Sequence, residues 1–273
     1  FSKLVAKRTL DFLLKDFALP VAGYASARDA GEIKKEGEYY AFEFLEIQKQ
    51  LGPELFLDAQ QIFEINSEGN FEGNKIVLRL NPKFASELLL SSEYAQIITE
   101  LADLRKIKQA PILDTKLVCS WNAQAISALA LGGFLIGESV YLNKANKLAE
   151  FFEAAVNSNQ GLARCYYGAS ARFEACLDDY VFLIKALLDL YQVTFESRWI
   201  NFAFELQAHL DRLLWDATEG GYFYSSASEL ITRRKDFVDQ VFAAGNSIAF
   251  MNLVRLQAIN PTAERAEQIQ KLR

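Results

Sequence analysis

Residues 177–193 read LDDYVFLIKALLDLYQV, and after the two aspartates this stretch is apolar on almost every side at helical spacing. A helix that is hydrophobic all round must be covered all round by other elements. Residues 199–214 follow after a short joint and are predicted to form its amphipathic partner, with one side facing water. The two segments together predict an inner helix covered by an outer helix.

The same pair of segments recurs along the second half of the chain, which indicates an internal repeat. Trp121, Tyr180 and Ser247 stand near equivalent starts of three apolar helices, 59 and 67 residues apart. Apolar helices inside and amphipathic helices outside form two concentric layers, so we expect a mainly α fold, an (α/α) toroid or a solenoid of helical hairpins. The other two hairpins are predicted at 121–136 with 141–156, and at 246–258 with a polar helix that Pro261 opens.

The first half of the chain is less regular, although we expect a single domain over residues 1–273. Gly, Asn and charged residues interrupt the apolar pattern, which predicts an irregular α/β insertion at residues 20–80. Because the chain opens with Phe1-Ser2-Lys3, we expect a fragment of a longer protein. Helices are predicted at 1–18, near 43–51 and 53–61, and at 82–108, strands at 38–42, 162–167 and 221–224, and a small hairpin at 63–65 with 76–80.

The lengths of the connections predict where a functional site lies. Joints from an inner to an outer helix are short, whereas loops to the next inner helix are long, around residues 157–176 and 215–243. Antiparallel packing then places the inner-helix N-termini and the long loops at one end, and loops on a rigid scaffold often carry function. The positive ends of the helix dipoles also gather at that end.

Polar residues stand at these predicted helix starts. Asp178, Asp179 and Asp114 are candidate catalytic acids, because glycoside hydrolysis needs two carboxylates, one of them kept protonated by its surroundings. Each candidate also has a structural alternative, as a helix N-cap or as a core aromatic. Since neighbours on a helix point in different directions, Asp178 and Asp179 cannot both cap, and one is left to face a cavity. The candidate substrate-binding residues are Trp121, Asn122, Tyr180, Asp29, Asp239, Asn246 and Ser247.

Composition excludes several classes of function. The 273 residues carry 29 Lys and Arg against 35 Asp and Glu, and the net charge of −6 argues against a nucleic-acid-binding surface. The single histidine, His209, excludes a two-histidine acid/base pair, and no phosphate- or dinucleotide-binding motif occurs, so we expect no metal and no cofactor. The basic run at 233–235 is expected to be solvated surface. Three cysteines without CxxC spacing, and no apolar run of membrane length, favour a cytoplasmic protein.

Six short motifs follow one another along nearly the whole chain. They are Gly23-Tyr24-Ala25-Ser26-Ala27-Arg28-Asp29-Ala30 with Glu36-Gly37-Glu38-Tyr39-Tyr40, Gly69-Asn70-Phe71-Glu72-Gly73, Ser120-Trp121-Asn122, Asp178-Asp179-Tyr180 with Phe182-Leu183-Ile184, Gly220-Gly221-Tyr222-Phe223, and Gly245-Asn246-Ser247. In these motifs the chain resembles the YyaL-type proteins, which include the spermatogenesis-associated thioredoxin-like proteins. The resemblance implies a six-hairpin, glycosidase-like (α/α) toroid, incomplete here or completed by further residues, and a thioredoxin-like domain that this sequence lacks.

The resemblance implies a carbohydrate-related domain whose activity is not established, and a fold alone does not fix a function. One hypothesis is a domain that binds or processes a saccharide in a pocket at the inner-helix N-termini. The alternative is a non-catalytic helical scaffold that supports a thioredoxin-like partner domain. A terpenoid-cyclase-like toroid is disfavoured, because no further acid follows Asp178-Asp179 in an Asp-rich pattern. Gly31 and Thr115 stand where the family usually has acids, which bears on any mechanism that uses carboxylates.

Overall fold

The computed structural model describes residues 2–31, 35–83, 89–227 and 231–273. The chain divides into two compact units: unit 1 comprises Phe1–Val5 and Ala27–Asp114, and unit 2 comprises Ala6–Ser26 and Thr115–Arg273. Along the chain the helices and strands are α1 (Ser2–Asp16), β1 (Ala27–Arg28), α2 (Phe44–Ile62), α3 (Ser92–Lys106), β2 (Leu113–Asp114), β3 (Leu117–Val118), α4 (Cys119–Ile136), α5 (Ser139–Ala155), β4 (Ala163–Tyr167), β5 (Ser170–Glu174), α6 (Leu177–Thr194), α7 (Ser197–Leu214), α8 (Gly245–Ile259) and α9 (Ala263–Leu272).

Three successive helical hairpins make up most of unit 2. The inner helix α6 packs between the inner helices α4 and α8, and each inner helix also packs against the helix that follows it. Helix α6 is buried along nearly its whole length, whereas α7 buries Trp199, Phe202 and Leu206 on one side only. Burial therefore follows the hydrophobic pattern in α6 and α7, and the predicted order of inner and outer helices is confirmed. The inner helices α4 and α8 are covered less completely than predicted, because Phe134 and Met251 are exposed on them.

Helix α1, from Ala6 onward, packs against the α4–α5 hairpin. The Tyr141 hydroxyl donates a hydrogen bond to Asp11 over 2.5 Å, and Lys7 pairs with Glu138 over 2.9 Å. Leu10 approaches Gly132 so closely that a Cβ atom on this glycine would lie 2.5 Å from the leucine Cδ1. These contacts attach the first helix of the chain to the first hairpin of unit 2.

A small antiparallel sheet connects the starts of two inner helices. Its strand order is β3-β4-β5, with Val118 opposite Cys165 and Cys165 opposite Arg172. Strand β3 runs directly into α4, and β5 precedes α6 by two residues. The predicted strand at 162–167 is confirmed as β4, and it places the long loop before α6 beside the first residues of α4.

Unit 1 has its own core, formed mainly by α2 and α3. Apolar side chains of both helices, among them Ile47, Phe56 and Ile97, are buried together. Helix α2 is kinked at Gly52, because Pro53 has no N–H to continue the helical hydrogen bonds and disfavours a helical conformation in the residue before it. The two short helices predicted at 43–51 and 53–61 are the two halves of this helix.

Several predictions for short elements are wrong in detail. Residues 38–42 are not a strand: Glu38–Tyr40 form one turn of 3-10 helix, and Phe42 makes a single bridge to Ile76. Likewise, Tyr222 makes a single bridge to Trp215 in place of the strand predicted at 221–224. The hairpin predicted at 63–65 with 76–80 contains one bridge, between Phe63 and Leu80. The helix predicted at 82–108 begins at Ser92, with Ser91 as its N-cap, and residues 84–88 lie outside the described residues.

By length and composition, helix α4 could cross a membrane, so the prediction that the chain has no apolar run of membrane length is wrong. However, 56% of this segment is buried inside the structure. A core helix of a helical bundle meets the same two criteria.

Candidate functional site

A cleft of about 460 Å³ opens at the N-terminal ends of α6 and α8. One wall is the second residue of α6, Asp178, and the other is the loop that leads into α8. The position agrees with the end of the hairpins at which the connection lengths predict a site. The side chains that line it include Asp178, Tyr224, Arg234, Asp236, Phe237 and Phe242.

Asp178 is half-buried at this cleft, and its environment favours the protonated form. Burial raises the pKa of its carboxyl group above the ordinary value, and the nearby carboxylate of Asp236 raises it further, whereas Arg164 and Arg234 act in the opposite direction. The first residue of α8 leaves room for this side chain, because a Cβ atom on Gly245 would lie 2.8 Å from Asp178 Oδ1. Asp178 is therefore an acid held close to the backbone of the neighbouring helix.

Two arginines hold Tyr224 in place beside Asp178. Arg164 Nη1 donates a hydrogen bond to the Tyr224 hydroxyl over 3.1 Å, and the Arg234 guanidinium lies over the ring, 4.3 Å from its centroid. Arg234 also pairs with Asp236 over 3.2 Å. The cleft thus presents two carboxylates, a fixed aromatic ring and a guanidinium to a ligand.

The basic run at 233–235 was expected to be solvated surface, and this is wrong for Lys235. Its ammonium group pairs with Asp216 over 2.6 Å, and both side chains are less than a fifth exposed. Arg233 lies against the Phe223 ring, 3.9 Å from the centroid. Sequence reasoning missed this arrangement because the acid and the aromatic rings are separated from the run along the chain.

Asp179 is buried and serves as a helix cap that joins two inner helices. Its carboxylate accepts hydrogen bonds from Cys176 N over 2.9 Å, at the start of α6, and from Ser120 N over 3.1 Å, at the start of α4. Burial raises the pKa of this carboxyl group to about 6, although both backbone hydrogen bonds and Arg164 oppose the rise. The structure therefore places Asp179 in a capping box, and Asp178 at the cleft.

Asn122 and Asn246 each make three hydrogen bonds at the starts of α4 and α8, and two of the three have equivalent partners, the backbone N–H and carbonyl of one upstream tyrosine. Asn122 Oδ1 accepts from Tyr24 N, and its Nδ2 donates to the carbonyl oxygens of Tyr24 and Val118. Asn246 Oδ1 accepts from Tyr222 N, and its Nδ2 donates to the carbonyl oxygens of Tyr222 and Asp236. We call each of these arrangements an asparagine clamp. Both amide groups are engaged by the backbone rather than turned toward the cleft.

The other predicted binding residues of unit 2 differ in exposure. Trp121 and Ser247 are exposed in the first turns of α4 and α8, whereas Tyr180 is buried in the core. Asp239 is exposed in the loop before α8, and its Oδ1 accepts a hydrogen bond from Ala244 N over 2.8 Å. His209 is exposed on α7.

Asp29 and Asp114 belong to unit 1. Asp114 is exposed on β2, opposite Ala27 of β1, and Asp29 Oδ1 accepts a hydrogen bond from Gly31 N over 3.2 Å. Asp29 lines a cleft of about 620 Å³ within unit 1, together with Tyr39 and several paired lysines and glutamates. Two of the predicted site residues thus lie in this unit.

Sequence reasoning did not single out Asp236, Tyr224 or Arg164. A signal was present for Tyr224, since it directly follows the Gly220-Gly221-Tyr222-Phe223 motif. Asp236 directly follows the basic run at 233–235, and the local sequence gives no sign that its carboxylate lies near Asp178. Within the described ranges, no group of three or more His, Cys, Asp or Glu residues could hold a metal ion.

Curated proteins with similar sequences cover most of the chain. It is 30% identical over 298 residues to spermatogenesis-associated protein 20 of Homo sapiens, an alignment that spans 92% of this chain and 38% of that protein. It is 31% identical over 286 residues to an uncharacterized protein of Caenorhabditis elegans, spanning 90% of this chain and 39% of that protein. The chain is a homologue of spermatogenesis-associated protein 20. It spans less than two-fifths of the length of these relatives, and the predicted resemblance is confirmed.

A solved structure of similar fold is the crystal structure of a sugar epimerase from a ruminal bacterium. The two share 12% sequence identity, with a TM-score of 0.50, and the match covers 100% of this chain and 70% of that chain. At this identity the likeness shows the fold alone. The fold is the six-hairpin, glycosidase-like (α/α) toroid type with short sheets, as predicted. No family model matches the chain.

Proposed function

We propose that this homologue of spermatogenesis-associated protein 20 binds a saccharide in the cleft at the N-terminal ends of α6 and α8, and that Asp178 acts on it as an acid. The observation that carries the proposal is the position of Asp178, a half-buried carboxyl group with a raised pKa at the wall of an aromatic-lined cleft. Sugars bind through their apolar faces on aromatic rings and through their hydroxyl groups on charged side chains, and this cleft offers both.

Asp178 and Asp236 are the pair of carboxyl groups that the chemistry requires. In glycoside hydrolysis one carboxylic acid protonates the departing glycosidic oxygen, and the second, ionised, activates water or attacks the sugar. Burial favours the protonated form of Asp178, whereas Asp236 forms an ion pair with Arg234 over 3.2 Å. We therefore assign the acid role to Asp178 and the base role to Asp236, while Asp179 holds the starts of α4 and α6 together.

Calorimetric titration with a panel of neutral oligosaccharides tests the proposal. We expect at least one member to bind, and Asp178→Asn to weaken that binding at least tenfold, because the amide has no proton to transfer and its NH2 group donates where an ionised carboxyl oxygen would accept. Asp103→Asn, an exposed position on α3, is the matched control and should bind like the wild type. Binding that is equal in the wild type and Asp178→Asn, or no binding by any saccharide, would overturn the proposal.

The scaffold is the second candidate function, and a specific observation favours it. Asp179, Asn122 and Asn246 all use their polar atoms on backbone groups of the chain itself. A scaffold of this kind would support a thioredoxin-like partner domain without binding sugar. Co-purification of the chain with such a domain, together with a negative saccharide panel, is the result that would favour the scaffold.

A cytoplasmic location is part of the same proposal. Cys119, Cys165 and Cys176 are free thiols, two of them buried, and a reducing compartment keeps thiols in that state. Imaging of a fluorescent fusion of the full-length parent protein would test this location.

A further inference from the structure

A cluster of three charged side chains connects α6 and α8 away from the cleft. Asp189 is buried on α6, and its two oxygens accept from different cations: Lys185 Nζ at 2.6 Å and Arg255 Nη1 at 2.7 Å. Lys185 also donates to Ser127 Oγ of α4 over 3.4 Å, and Arg255 donates to Gln192 Oε1 over 3.4 Å. Side chains from all three inner helices therefore meet at this cluster, which we call the Lys185–Arg255 cluster.

The cluster carries a surplus positive charge. Helix α4 contains no charged residue, α8 contains one, Arg255, and α6 contains Lys185 and Asp189 beyond the two aspartates of its first turn. Beyond the first turn of α6, two cations thus share the one carboxylate of these three helices. One positive charge remains without a neutralising partner on these three helices.

Both cationic side chains are partly open to solvent. The side chains of Lys185 and Arg255 are 36% and 29% exposed, whereas that of Asp189 is 7% exposed. An arginine has five N–H donors in a planar fork and a lysine has three, so most donors of the guanidinium are not used by Asp189 and Gln192. A second oxyanion can therefore meet the same two cations from the exposed side.

The position on α6 relates the cluster to the cleft. Asp178 and Lys185 are seven residues apart, which places them on one face of the helix at about 10 Å along its axis. Phe182 lies between them on this face and is covered by Phe242 of the loop that lines the cleft, with ring centroids 5.7 Å apart. The cluster is thus a separate feature on the same face of α6.

We propose that Lys185 and Arg255 form a binding site for a compact oxyanion, a carboxylate or a phosphate group, beside the buried Asp189. An arginine fork binds either group through two parallel hydrogen bonds, and the ammonium adds a point charge. The proposal is independent of saccharide binding in the cleft. The alternative is a purely structural ion network that holds α6 against α8.

Thermal unfolding in inorganic phosphate or acetate, against chloride at matched ionic strength, tests the site. We expect a saturable rise in Tm for the wild type, since a ligand that binds the folded state stabilises it. Arg255→Gln should shift the phosphate or acetate midpoint at least tenfold to higher concentration. Lys271→Gln, an exposed cation on α9 that pairs with Glu267, should respond like the wild type. A response to phosphate alone, or to acetate alone, identifies which of the two groups binds.

Asp189→Asn separates the two readings. Removal of this negative charge leaves both cations in place, so a true anion site should bind phosphate or acetate several-fold more tightly, whereas a structural network would lose stability without any gain in anion response. If Arg255→Gln does not fold, Arg255→Lys takes its place. This variant keeps the positive charge but not the planar fork, so we expect it to bind phosphate or acetate more weakly than the wild type. An identical anion response in the wild type and all cluster variants, or no response beyond that in chloride, would overturn the proposal.

Discussion

Asp178 and Asp179 are adjacent in the sequence, but the structure gives them different surroundings. The Asp179 carboxylate accepts hydrogen bonds from two backbone N–H groups and is buried, whereas Asp178 is half-buried at the cleft. The sequence predicted that one acid would cap and the other would face a cavity, because adjacent helical residues point in different directions. It could not predict which, since the second donor, Ser120 N, is 59 residues away.

We expect the stability of the protein to depend on pH through Asp179. Its pKa in the folded chain is about 6, above the ordinary 3.8, so between these values the folded state holds a proton that the unfolded state has lost. Stability therefore falls as the pH rises through this window, by about 3 kcal/mol at 1.36 kcal/mol per pKa unit. Urea unfolding at pH 4 and pH 7 measures the difference.

Asp179→Asn supplies the comparison for that measurement, because it cannot titrate. We expect the free energy of unfolding of the wild type to decrease relative to this variant between pH 4 and pH 7. A parallel pH dependence of the two proteins would contradict the raised pKa, and Asp103→Asn controls for the loss of a carboxylate elsewhere.

At the scale of elements, hydrophobic periodicity predicted the helices of unit 2 well, whereas two of the three predicted strands are wrong. The predicted bounds of α4, α5, α6 and α7 lie within a few residues of those observed, because each buries a continuous apolar face. The strands predicted at 38–42 and 221–224 reduce to single bridges, since a strand depends on the partner that pairs with it. The sequence of one segment does not show which other segment will pair with it.

The turn before residue 76 offers a matched pair of glycines for a test at this scale. Gly69 and Gly73 both have positive φ angles, 70° and 66°, which cost an L-residue about 1 kcal/mol. A Cβ atom on Gly69 would also lie 2.4 Å from backbone atoms of Asn74, whereas nothing lies within 4 Å of one on Gly73. We expect Gly69→Ala to cost about 3 kcal/mol and Gly73→Ala about 1 kcal/mol in urea unfolding. Equal losses would show that the overlap at Gly69 is relieved at no cost.

At the scale of the whole molecule, the two units have separate cores. The buried apolar residues of unit 1 form one cluster and those of unit 2 another. The fold class of the chain was predictable, because the repeat of inner and outer helices sets it. The prediction of one domain over residues 1–273 with an insertion at 20–80 stays a prediction.

The ends of the long segment of unit 1 are neighbours, which makes its removal testable. Ala27 pairs with Asp114 across the β1–β2 ladder, so the chain leaves and re-enters unit 2 at adjacent points. We expect a chain in which a short glycine-containing turn replaces residues 27–114 to keep the helical content of unit 2 and to unfold cooperatively, as measured by circular dichroism. A molten chain without a thermal transition would contradict this expectation.

The two asparagine clamps suggest how such a fold tolerates change over evolution. Asn122 is hydrogen-bonded to the backbone of Tyr24, 98 positions upstream, and Asn246 to the backbone of Tyr222, 24 positions upstream. The same pair of hydrogen bonds to a tyrosine backbone is thus made across intervening segments of very different size. An insertion between the tyrosine and the asparagine leaves both hydrogen bonds to that tyrosine in place at the start of the helix. Insertions in these segments are therefore compatible with the packing of the inner helices.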